Sequence, residues 1–128
     1  MHAYEIPNLK FSLPAGGAVA INRFVSVNSS SAGIQATAST RIIGASMNSA
    51  TVGKVLEVAD GIVMVEAAGN IAAGALVSSD ADGKVIPAVA DAQSGTTPFA
   101  VTPGTIVAGI AITGSSAAGT LVAVKIRA

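Results

Sequence analysis

The stretch Leu56-Glu57-Val58-Ala59-Asp60-Gly61-Ile62-Val63-Met64-Val65-Glu66 decides how the chain is read. Branching at Cβ freezes χ1 in Val and Ile, which disfavours helix and suits the pleated surface of a strand. Two such runs here flank Asp60-Gly61, the signature of a type I′ turn, so the stretch predicts a β-hairpin with its tip at those two residues. Asp82-Gly83 repeats the signal between Leu76-Val77-Ser78 and Lys84-Val85-Ile86. Ile106 to Ile112 and Leu121 to Ile126 read as two more strands, joined across Gly114 to Gly119. With about ten short strands and a turn every few residues, the sequence predicts an all-β fold, a small clip-like or barrel-like domain of antiparallel strands. Ala88 to Gly95 stays open between a helical turn and a loop.

Composition supports a body with little charge. Of 128 residues, 26 are Ala, 27 are Val or Ile, and only 5 are Leu. Charged residues are 11% of the chain against the roughly 25% of ordinary soluble domains, and the formal net charge is zero. A neutral chain has no general pull toward nucleic acid or an anionic membrane, so neither is expected as a partner. So few charges leave a surface that is either uncharged and small-residue or covered by other subunits. The uncharged run Ala92 to Val124 could span a bilayer in length. Its Pro98, Pro103 and five glycines argue against a membrane helix. Glu5 and Pro7 interrupt any signal peptide, so synthesis in the cytoplasm is expected.

The chain echoes itself. Phe24-Val25-Ser26, Gly33-Ile34, Ile42-Ile43-Gly44-Ala45 and Gly53-Lys54-Val55-Leu56-Glu57-Val58 follow one another in the first half. Leu76-Val77-Ser78, Gly83-Lys84-Val85, Val107-Ala108-Gly109-Ile110-Ala111 and Gly119-Thr120-Leu121-Val122-Ala123-Val124 follow in the second. The reading is an internal two-fold repeat in one domain, residues 14–128, since two copies are too few for a solenoid. Residues 1–13 stand outside it as an extended N-terminal arm, bounded by Pro14. The arm reads either as a frayed terminus or as a segment that orders on a partner through Tyr4, Ile6, Leu9 and Phe11.

Catalysis has no candidates. With no Cys and His2 alone, there is no cysteine nucleophile and no His-pair metal site, and a Ser-His-Asp triad has little to stand on. Asp80-Ala81-Asp82-Gly83 opens like a calcium loop but lacks the later oxygen ligands, so it reads as a turn. Val65-Glu66-Ala67-Ala68 sits where carrier domains place a modified Lys, and the Lys is absent. Glu57 and Glu66 flank the Asp60-Gly61 turn without the aromatic platforms of a glycosidase cleft and read as solvated strand residues. Ser29-Ser30-Ser31 has no base beside it. Lys10, Arg23, Arg41 and Lys54 are scattered and make no nucleic-acid stripe. No enzyme, metal or cofactor is therefore expected.

The ordered series Arg41-Ile42-Ile43-Gly44-Ala45-Ser46, Gly53 to Val58, Asp60-Gly61-Ile62-Val63, Ile71-Ala72-Ala73-Gly74-Ala75-Leu76-Val77, Asp82 to Val85, Val107 to Ala111 and Ala118 to Val124 resembles the capsid decoration (cement) proteins of tailed bacteriophages, over about residues 14–126. The resemblance implies a virion protein on the outer surface of the head that binds the major capsid protein and reinforces contacts between capsomers. It also implies self-association, most often as a homotrimer. The N-terminal extension and the insert Ala88 to Thr105 depart from shorter members of that family. Two other classes stay open to such a chain: a non-catalytic receptor- or glycan-binding domain of a phage fibre or surface protein, and a small non-catalytic regulatory domain of the clip type.

Overall fold

A computed structural model describes residues 6–88, 92–94, 100–102 and 106–126. Among them there is no helix. The eleven strands are β1 (Ile6–Pro14), β2 (Phe24–Val27), β3 (Gly33–Gln35), β4 (Gly44–Ser46), β5 (Val55–Glu66), β6 (Leu76–Ser79), β7 (Val85–Pro87), β8 (Ala92–Ser94), β9 (Ala100–Thr102), β10 (Gly109–Ala111) and β11 (Leu121–Ile126). Nine of them form one curled antiparallel sheet with the path β3-β2-β4-β5-β11-β10-β6-β7, and β1 adds to β5 off that path. β8 and β9 pair separately, so 92–94 is strand rather than the helical turn or loop that the sequence left open. The rest of the 88–105 insert, beyond Ala88 and the strands β8 and β9, lies outside the described residues.

The hairpin expected at Asp60-Gly61 does not form. β5 runs straight through it as one strand of 12 residues, on the order of 40 Å long. A type I′ turn needs positive φ at both central residues, and only Gly61 has it, at 111°. Each half of β5 finds its partner elsewhere. Its first part pairs with β1 (Leu13 opposite Leu56, Phe11 opposite Val58), and its second with β11 (Val65 opposite Val122, Val63 opposite Val124). The register of β1 slips between Pro7 and Leu9, opposite Gly61 and Asp60, which places a β-bulge where the turn was expected. The hairpin at Asp82-Gly83 is present, joining β6 to β7.

Residues 6–14 are thus a strand of the sheet, not an arm standing off it. This corrects the boundary read at Pro14; residues 1–5 lie outside the described residues. The backbone shows why 10–14 belong to the body, because one set of hydrogen bonds occurs twice. Pro14 faces Val55 and Lys10 faces Ala59, as Glu66 faces Leu121 and Ile62 faces Lys125. The Ala15 N–H donates to the Lys54 carbonyl and Ala15 accepts from Gly53; Ala67 does the same with Thr120 and Gly119. Val19 and Ala50 exchange two bonds, as do Ile71 and Ser115. Asn28 Oδ1 accepts from the N–H groups of Ser30 and Ala32, and Asp80 Oδ1 from those of Asp82 and Lys84. Ser31 and Gly83 hold the same left-handed position in these turns, at φ 63° and 74°. The strand path likewise has the same order on either side of the β5–β11 pair.

Two cores follow. Leu56 and Val58 pack with Ala15, Val19, Val25 and Ala50, partly covered by Phe11, Leu13 and Ile43. Val63 and Val65 pack with Phe24, Ile71, Val77, Val85, Val122 and Val124. Burial along β5 alternates, but Val58 and Ala59 are buried consecutively. Since successive side chains point to opposite faces, the strand changes its buried face there. Gly44 and Gly109 let β4 and β10 approach: a Cβ on Gly44 would strike the Ala59 carbonyl oxygen, and one on Gly109 the Lys125 carbonyl oxygen.

Gly44→Ala and Gly109→Ala are each expected to cost about 1–3 kcal/mol as backbone is forced apart, read from urea denaturation. Gly69→Ala, with no atom within 4 Å of the added Cβ, is expected to stay within about 0.5 kcal/mol of the parent. Deleting residues 2–12 strips β1 from β5 and is expected to lower the melting temperature by several degrees or more. An unchanged melt would show that β1 adds nothing to the body.

Candidate interaction surface

The four side chains expected to anchor a partner have different fates. Tyr4 lies outside the described residues, and so does the side chain of Ile6. Phe11 is half-buried and packs against the first core, so it serves the body itself. Leu9, beside the bulge of β1, is 56% exposed and is the one described member that remains available to a neighbour.

Glu57 and Glu66 do not form a carboxylate pair. Glu57 is exposed near the start of β5, and its N–H donates to Asn48 Oδ1 at 2.8 Å. Glu66, at the other end, is more than a solvated strand residue. Its Oε2 lies 3.2 Å from Arg23 Nη2 and 3.1 Å from Lys84 Nζ. Arg23 and Glu66 side chains are only 16% and 27% exposed. The cluster straddles the joint between the two matching halves, where the Phe24 N–H donates to the Gly83 carbonyl at 2.8 Å and the Glu66 N–H to Asn22 at 3.0 Å. No sequence signal marks Glu66, because its partners are remote in sequence and single. Asp80, read as a turn residue rather than a calcium ligand, spends its Oδ1 on the hairpin backbone. Among the described residues no three His, Asp or Glu side chains gather.

An opening of about 600 Å³ lies between the loop 18–20 with Arg23 and the segment 49–54; Gln35, Ser49, Thr51 and Lys54 line it with apolar Ala18, Val19 and Ala50. Gln35 Oε1 accepts from the Ala20 N–H and Ser49 Oγ from the Ile21 N–H, which ties the lining to the loop backbone. Arg23 and Lys54, scattered in the sequence, meet at this one cavity. Just beside the lining, Ile21, Val52 and Val55 are 48%, 71% and 61% exposed. The surface brings cations and apolar side chains together.

The family model for phage cement protein matches residues 5–126, and the chain belongs to that family. It is accordingly a structural protein of the virion. The fold is similar to the solved structure of "head fiber gp8.5 N base in bacteriophage phi29", with a TM-score of 0.64, 18% identity and 93% of each chain covered. No curated protein sequence matches the chain.

Glu66→Gln leaves Arg23 without its carboxylate. Partial burial sets the expected cost at about 1 kcal/mol at low salt, less at high salt as the parent's ion pairs are screened. Paired urea titrations at the two salt concentrations check both parts.

Proposed function

We propose that the chain binds the exterior of the phage head as a homotrimer and reinforces the junctions between capsomers, with no catalytic role. The observation that carries this reading is the cement family match across residues 5–126. The physical chemistry supports it. A packaged head strains its capsomer junctions, and a rigid body seated across one adds contact area there. Apolar burial contributes about 25 cal/mol per Å², less the costs of association. Repetition over many sites turns a modest contact into a large collective effect. With 11% charged residues and exposed Leu9, Ile21, Val52 and Val55, the body has apolar surface to give to a neighbour. The major capsid protein is the partner proposed.

Heads assembled without this chain should open at a lower temperature, and adding the purified protein back should restore the higher opening temperature, followed by scanning calorimetry. Heads that bind the protein with no change in opening would refute reinforcement. Heads that do not bind it would refute the reading itself. Isolated single copies on the particle would refute the trimer.

A further inference from the structure

The two matching halves of the chain act as an internal comparison. Where their hydrogen bonds coincide, the residues can be set side by side. The Arg23 carbonyl accepts from Ser46 as the Ala75 carbonyl accepts from Ala111, so Arg23 stands in the place of Ala75. Lys54 likewise stands in the place of Thr120, both accepting from the matching Ala15 and Ala67 N–H groups. Gln35 opposite Val25 stands in the place of Pro87 opposite Val77. Ile21, one residue before the Asn22 N–H that donates to Ser46, stands in the place of Ala73 before Gly74, which donates to Ala111. The matched strand and turn bonds form with Ala, Thr and Pro in one half, so they do not require Arg, Lys and Gln in the other, although Gln35 also accepts from the Ala20 N–H. These differences gather at one opening and its rim.

We infer that the surface formed by residues 18–23 and 49–55 is the chain's docking face for an acidic, partly apolar patch on the outer surface of the shell protein. The inference rests on the reading that the chain binds the head. Charge complementarity sets the partner's sign. Arg23 and Lys54 are the charged side chains that line the opening, and no carboxylate lines it; Arg23 pairs with Glu66 behind it. Lys54 makes no ion pair among the described residues. An opening of about 600 Å³ admits a protruding side chain. Val52 and Val55, 71% and 61% exposed, lie within two residues of Lys54 in the chain and would add apolar area that excludes water from such a contact. In the second half Ala118 stands for Val52 and Thr120 for Lys54, while Leu121 stands for Val55.

The test uses the full chain and heads assembled without it, with binding measured by co-sedimentation. Lys54→Glu and Val52→Asp change exposed side chains of the face; Thr120→Glu and Ala118→Asp make similar changes in the other half. All four should melt like the parent. The expected result is that Lys54→Glu and Val52→Asp each weaken binding at least about tenfold while the other two stay within about twofold. Raising salt should weaken the parent more than Lys54→Glu, as removal of an attractive charge requires. Parent binding with all four variants equal to it would overturn the docking face and leave the head-binding reading intact. Failure of the parent to bind would overturn that reading instead. Lower mass of free Lys54→Glu and Val52→Asp in sedimentation would also overturn the inference, since the face would then join copies of this chain.

Discussion

Everything in the fold depends on β5 serving two cores at once. A strand with side chains alternating across its faces ordinarily buries one face. Here Leu56 and Val58 enter the first core, Val63 and Val65 enter the second, and the switch falls at Val58-Ala59, where both residues are buried. The pairing demands this. Ala59 has Lys10 on one edge and Ala45 on the other, and Ile62 has Ile6 and Lys125. With partners on both edges the strand cannot fold back on itself, and Asp60-Gly61 becomes the joint between the halves. Small residues make the close approach possible: Ala59 beneath Gly44, and Gly109 over the backbone of β11.

The joint also explains where the halves cease to match. Phe24 adjoins Val25 of the first core yet is buried in the second, and its N–H reaches Gly83 in the opposite turn. Arg23, Glu66 and Lys84 close the same seam with charge. Hydrophobic burial and a shared ion cluster therefore bind the halves into one body.

The all-β class was legible because Val, Ile and Gly dominate, and the Asp82-Gly83 hairpin because local turn chemistry decides it. The Asp60-Gly61 site misled for a definite reason. A two-residue hairpin flips the phase of buried residues across its tip, and a continuous strand that changes its buried face yields the same pattern. Only the distant partners β1 and β11 distinguish the two, and pairing across the chain leaves no local mark. For the same reason Leu9 and Phe11 read alike as apolar arm residues, although one is exposed and the other packs on the core. The meeting of Arg23 with Lys54, and the pairing of Arg23 with Glu66, arise from the closure of the sheet and were not readable from spacing. The cement resemblance rested on an ordered series of short hairpins, and the family match covers the same stretch and extends to residue 5.

A two-core body, poor in charge and offering exposed apolar side chains, suits the contact role proposed for it. The most direct measurement is a reconstruction of the head with and without this chain. The account predicts added density outside the shell over junctions between capsomers, with copies touching one another. Density inside the shell, or copies seated at the centre of single capsomers away from any junction, would contradict it.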